Sequence, residues 1–160
     1  PNFRKSHLHE LDQLLPFIME NIELADIVKG SDEDFMNIFH TSDTETIFGI
    51  INDPKKILIQ TFGKDGVTFF SDKLSFHLAA NQINPASTIG AGDNFNAGLA
   101  YGIVQKNVNF SNIHEVNQVL WQQILRYGID FASEVCLGFN NYISEVFAEK
   151  VRNINNQFLK

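Results

Sequence analysis

Only one of the 160 residues is cysteine, one is tryptophan and four are proline. A lone thiol, Cys136, excludes an internal disulfide and fits a reducing compartment, so we expect a cytoplasmic protein. It lies in an apolar pattern of helical spacing and reads as a buried structural thiol rather than a nucleophile. Basic residues number 12 against 19 acids, with no Lys/Arg run. The net charge of −7 argues against non-specific binding to nucleic acid or an anionic membrane. No apolar run is long enough to span a bilayer as a helix. Metal-ligand spacing is also lacking: beyond the His7/His9 pair, which solvent-facing helix positions explain better than zinc, the histidines are scattered, and no direct metal site is expected. Repeats, low-complexity tracts and an interdomain linker are absent, so residues 1–160 are expected to form a single domain. The chain opens Pro1-Asn2-Phe3-Arg4 without methionine, and we expect that sequence precedes it.

Hydrophobic residues make up 44% of the chain and 15 residues are phenylalanine, enough for a core in which phenylalanine dominates. Ser6 reads as the N-cap of a helix carrying Leu8, Leu11, Leu15, Ile18, Met19 and Ile22. Ala25 to Val28 reads as a buried strand. Ser31-Asp32-Glu33-Asp34 then starts a helix with Phe35, Ile38 and Phe39, and its acids suit the positive end of the dipole. Ser42 to Glu45 fits a capping box before Ile47, Phe48 and Ile51. The pattern next turns to strands: Ile57 to Phe62, Val67 to Phe70 and Ser75 to Leu78, separated by turns at Gly63–Gly66 and Ser71–Lys73. Exposed is the expected state of His77. Helices follow from Asp93, from Val116 to Val135 and from Ser144 to Ile154, with Gly128 marking a break, a kink or a close contact. Helix–strand alternation with hairpins implies an α/β layered fold with a mixed sheet.

One stretch, Ser87-Thr88-Ile89-Gly90-Ala91-Gly92-Asp93-Asn94-Phe95, joins a sharp turn to a helix start. Gly90 and Gly92 let a ligand approach main-chain N–H groups. A helix N-terminus offers unpaired donors and a positive dipole end, which suit phosphate. The Asp93 carboxylate beside it could act as a general base. An ordinary glycine turn followed by an early helical aspartate accounts for the same letters.

The neighbouring pieces, taken in order, make the stretch specific. It resembles the motif Asp-Thr-x-Gly-Ala-Gly-Asp of the ribokinase-like (PfkB) carbohydrate kinases, in particular the bacterial fructokinase-like members. Asn2-Phe3-Arg4, Ala25–Ser31 and Thr61-x-Gly63-x-x-Gly66 resemble upstream segments of that family. The resemblance implies the C-terminal portion of a three-layer α/β/α ribokinase-like fold and an ATP-dependent phosphorylation of a sugar hydroxyl. It implies Asp93 as the base, the Gly90, Ala91 and Gly92 N–H groups as an anion hole, and Thr61 and Gly63 near the ATP phosphates. The adenine side is expected around Gly66 and from Phe131 to Asn140. Ser31 and Asp34 stand where the family has an Asn/Ser-x-x-Glu pair that organises Mg²⁺ and phosphate, and Arg4 is a candidate substrate contact.

Three departures qualify what the resemblance implies. Ser87 replaces the aspartate that helps form the family's monovalent-cation site, which puts that cation in question. Asp34 is one carbon shorter than the usual Glu. The family's chains are roughly twice this length, so the N-terminal half, most sugar contacts and the β lid are expected to be missing. A lone half is expected to be inactive and to self-associate through its exposed edge or apolar face. A ribose, nucleoside or other sugar kinase, or a non-catalytic nucleotide-binding or structural fragment, are the alternatives.

Overall fold

The computed structural model describes Phe3 and residues 5–157, which fall into two compact units divided in sequence between Ala79 and Ala80. The first unit is mixed α/β. A 3-10 segment, Lys5–Glu10, runs into helix α1 (Leu11–Leu24). Ser6 therefore sits inside the 3-10 segment instead of capping the helix, and no side chain caps α1. Apolar periodicity marks the buried face but does not distinguish a 3-10 turn from an α turn at the helix start.

Strands β1 (Ile27–Ser31), β2 (Ile57–Thr61), β3 (Val67–Phe70) and β4 (Ser75–Leu78) form one sheet in that order. β1 and β2 are parallel, and the two later pairings are antiparallel hairpins. The sheet is thus mixed, as expected, although β1 begins two residues later than the apolar run and reaches Ser31. A parallel pair needs a crossover. Helices α2 (Asp32–Phe39) and α3 (Thr44–Ile51) supply it. Val28, Leu58 and Phe70 share one sheet face through the pairing register. They pack with Ile22, Phe35, Ile47 and Ile51 of the helices. Gln60 is fully buried on β2, and its amide is satisfied: it accepts from Thr44 Oγ1 at 2.7 Å and donates to the Ser42 carbonyl at 2.9 Å. The cap of α3 is Asp43, not Ser42. The Asp43 carboxylate accepts from Thr46 N–H at 2.8 Å and from its hydroxyl at 2.6 Å.

The second unit is helical, with α4 (Ala91–Gln105), α5 (Gln118–Cys136) and α6 (Glu145–Gln157). α4 and α5 approach closely because small residues face each other. A Cβ on Gly98 would lie 2.4 Å from the Tyr127 carbonyl oxygen, and one on Gly128 would lie 2.9 Å from the Phe95 ring. Gly128 is therefore a close contact inside a continuous helix. Trp121, Ile124 and Leu125 fill the centre of this unit. Phenylalanine is divided: Phe35, Phe69, Phe95 and Phe131 are buried, whereas Phe17, Phe110 and Phe139 are exposed. Among the described residues, no helix is long and apolar enough to cross a membrane.

Candidate active site

In the first unit, β1 and β2 end level, with Ser31 paired to Thr61. Carboxyl ends of parallel strands are where α/β folds collect ligand-binding groups. After β1 comes the start of α2. Ser31 Oγ accepts the Asp34 N–H at 3.0 Å and donates to Asp34 Oδ2 at 2.8 Å; the same carboxylate oxygen accepts the Ser31 N–H at 2.8 Å. The other oxygen accepts the Phe3 N–H at 2.8 Å. Ser31 and Asp34 are thus brought together as a capping box that also ties down Phe3. Both carboxylate oxygens are engaged by the chain itself.

After β2 comes the second expected segment. Thr61 Oγ1 reaches the Gly30 carbonyl at 3.4 Å. Phe62 N–H donates to the Gly66 carbonyl at 2.8 Å and Asp65 N–H to the Phe62 carbonyl at 3.0 Å, which folds these residues into a tight turn. Gly63 has φ +55° and Gly66 φ +113°, so the spacing of the two glycines is a backbone requirement. His77 on β4 is exposed, as expected, but it also braces this turn. Its Nε2 lies 2.8 Å from the Asp65 carbonyl and its Nδ1 3.0 Å from Thr68 Oγ1.

In the second unit, Gly90 is the N-cap of α4 with φ +81°. Ala91 N–H turns back to the Thr88 carbonyl at 3.3 Å, and Asn94 N–H makes the first helical bond to the Gly90 carbonyl at 2.9 Å. Among the described residues, the Gly92 and Asp93 N–H groups have no protein acceptor. That is the usual state of a first helical turn. Asp93 is exposed within the same turn, and its carboxylate has no hydrogen-bond partner among the described residues. The first turn of α4 therefore offers open donors beside a carboxylate able to take a proton.

Two residues that sequence reasoning did not single out frame this turn. Asn141 Oδ1 lies 1.5 Å from where a Cβ on Gly90 would stand. Asn94 is buried, and its Nδ2 donates to the Gly90 carbonyl at 3.0 Å and to the Asn141 carbonyl at 3.4 Å. Asn140, expected near the nucleotide, is exposed in the same stretch as Asn141. Ser87, in the position of the family's cation-site acid, is used locally: its Oγ accepts from Ile89 N–H at 3.2 Å. Cys136 is buried, and burial pushes its thiol up, so it stays protonated; its carbonyl accepts from Ala86 N–H at 2.8 Å and Ser87 N–H at 3.3 Å. Arg4 lies outside the described residues. Among those residues, no group of three or more His, Cys, Asp or Glu could hold a metal ion.

A family model described as pfkB family carbohydrate kinase matches residues 2–143. Probable fructokinase-3 of Arabidopsis thaliana is 30% identical over 106 residues, which are 65% of this chain and 31% of that protein. Fructokinase-2 of Oryza sativa subsp. japonica is 26% identical over 98 residues, 60% of this chain and 29% of the relative. The chain thus spans about a third of the length of these relatives. Among solved structures, the fructokinase of Vibrio cholerae O395 bound to fructose, ADP and calcium superposes with a TM-score of 0.73 at 23% identity. The match covers 88% of this chain and 44% of that one. The aminoimidazole riboside kinase of Salmonella enterica, complexed with aminoimidazole riboside and an ATP analogue, gives 0.73 at 19% identity, covering 99% and 50% of the two chains. These likenesses show the ribokinase-like fold.

Proposed function

The chain belongs to the pfkB family of carbohydrate kinases, and we propose on that footing that it supplies the phosphoryl-handling part of an ATP-dependent sugar kinase, with a fructose-like sugar as substrate. The observation that carries the reading is the first turn of α4. The open Gly92 and Asp93 N–H groups stand beside an exposed, unengaged carboxylate at Asp93, within the stretch that the family model matches. These donors fit an anion. Fixed main-chain N–H groups stabilise developing charge without reorganising.

ATP with Mg²⁺, when bound, supplies the phosphoryl group and offsets part of its charge. Magnesium is commonly held through substrate phosphates and one or two carboxylates. Asp93 accepts the proton of the attacking sugar hydroxyl. Within the Gly90–Gly92 segment the open Gly92 N–H receives a phosphoryl oxygen, the Ala91 N–H being turned to the Thr88 carbonyl, and the Thr61–Gly66 turn takes part in holding the nucleotide phosphates. Ser31 and Asp34 shape the end of β1 and, in this reading, orient water around the metal. Asn140 is assigned to the adenine side. The reaction is assigned to the cytoplasm. The sugar-contacting groups are assigned to the part of the kinases that these 160 residues do not span. Pairing with that part, or self-association, covers the apolar surface; without it the chain is expected to be inactive.

The test combines calorimetric binding of Mg·ADP with assays of ADP release from ATP in the presence of fructose, ribose or no sugar. Saturable nucleotide binding is the expected result, and fructose-dependent ADP release would extend it to turnover by the chain itself. Ribose-dependent release would move the substrate to another sugar. Failure to bind nucleotide at millimolar concentration overturns the reading and leaves a structural fragment.

A further inference from the structure

The α4 turn depends on a feature that the kinase motif does not contain. Asparagine is a poor helix former, and burying an amide is costly unless its polar atoms are paired. Asn94 is nevertheless buried at the fourth position of α4. Its Nδ2 group donates to the carbonyls of Asn141 and Gly90, adding a second donor at Gly90 to the helical bond from the Asn94 N–H. An alanine there would favour the helix and leave both carbonyls without that donor.

The stretch it reaches is itself anchored. Gly138 N–H bonds the Val135 carbonyl at 3.4 Å. Ser144 Oγ donates to Glu134 Oε1 at 2.6 Å and accepts Phe147 N–H at 3.1 Å, which ties the far side of the stretch to α5 and α6. On the near side, Ala86 and Ser87 N–H both bond the Cys136 carbonyl. Gly90 thus lies in sequence between two segments fixed to α5, and Asn94 bonds it to the second of them.

We propose that Asn94 is a positioning residue whose amide clasps the Gly90 and Asn141 carbonyls and so aims the open Gly92 and Asp93 N–H groups at a phosphoryl oxygen. It touches no substrate and acts through Gly90. The aim of those donors rests on the kinase reading; the clasp itself does not.

The test uses the full 160-residue chain labelled with ¹⁵N, with Asn94→Ala and Asn94→Asp variants. Without nucleotide, hydrogen exchange of the residue-94 amide, which bonds Gly90, is compared with that of amides in the Leu99–Ile103 part of α4. The clasp requires about tenfold faster exchange at residue 94 in Asn94→Ala with the distal amides unchanged. It also requires a larger effect in Asn94→Asp, which places a carboxylate against two carbonyls. Uniform loss of protection along α4, or none, overturns it. If Asn94 variants fail to fold, the Asn94 side-chain amide protons of the wild type decide: exchange about tenfold slower than that of the exposed Asn140 side-chain amide supports the clasp, and equal exchange refutes it. Mg·AMP-PNP titration is then read on the same amides. A wild type that gives no response refutes the kinase reading alone, and a wild-type response that persists unweakened in Asn94→Ala refutes the positioning role alone.

Discussion

The two glycine turns use the same residue for different physical reasons. In the Thr61–Gly66 turn, Gly63 has φ +55° and nothing within 4 Å of where a Cβ would stand. Its constraint is dihedral, and the space around it is open. At Gly90 both constraints act: φ is +81°, and the Asn141 side chain occupies the place of a Cβ. The first turn can be read from spacing alone because a backbone dihedral is a local property. The second carries a partner 51 residues away, which no local pattern records.

With Asp93 as the proposed base, Asp93→Asn in the active kinase is expected to lower kcat by about 10²–10⁴ while the KM for ATP holds. Steady-state kinetics check this, and an unchanged kcat removes Asp93 as the base. Gly90→Ala meets both strain and crowding and costs about 2 kcal/mol or more of stability in urea denaturation. Gly63→Ala meets strain alone, with an expected loss of about 1 kcal/mol in the same measurement. Equal losses at the two positions would show that the Asn141 contact is inconsequential.

The smallest effect concerns pH and lies away from both turns. Hydrogen bonds from the Thr46 side chain, then from its backbone N–H, hold the Asp43 carboxyl below its ordinary value. A carboxylate depressed in the folded state stabilises above its unfolded pKa, about 3.9, and that contribution fades as pH falls through the folded value. Melting temperatures between pH 7 and pH 3 should therefore converge for wild type and Asp43→Ala at the acid end. A gap that stays constant with pH would remove the charge from the cap.

What was legible in the sequence follows from how far each cause reaches along the chain. β3 and β4 match their expected bounds because alternating residues and flanking turn residues are local signals. The Ser31 cap of α2 likewise depends on a residue three positions on. The helix boundary at Leu11 and the cap at Asp43 were displaced because several neighbouring residues satisfy the same spacing rule. In the candidate site, Gly90 to Asp93 could be identified as a helix-opening turn, and Thr61-x-Gly63-x-x-Gly66 as a tight one. The Asn94–Asn141 bond and the His77 brace were not legible, since they join residues 47 and 12 positions apart without a periodic signature.

The contacts of Phe3 carry a kinetic consequence. Its N–H is held by Asp34 and its carbonyl by the buried Asn37 side chain at 3.1 Å, contacts that span 31 and 34 residues. Closing a loop of that length consumes chain entropy before any bond is made. Formation of β1 and α2 can precede it, because their own bonds are local or depend on β2. The Phe3 attachment is then a late event on the folding route, contributing more to slow unfolding than to fast folding.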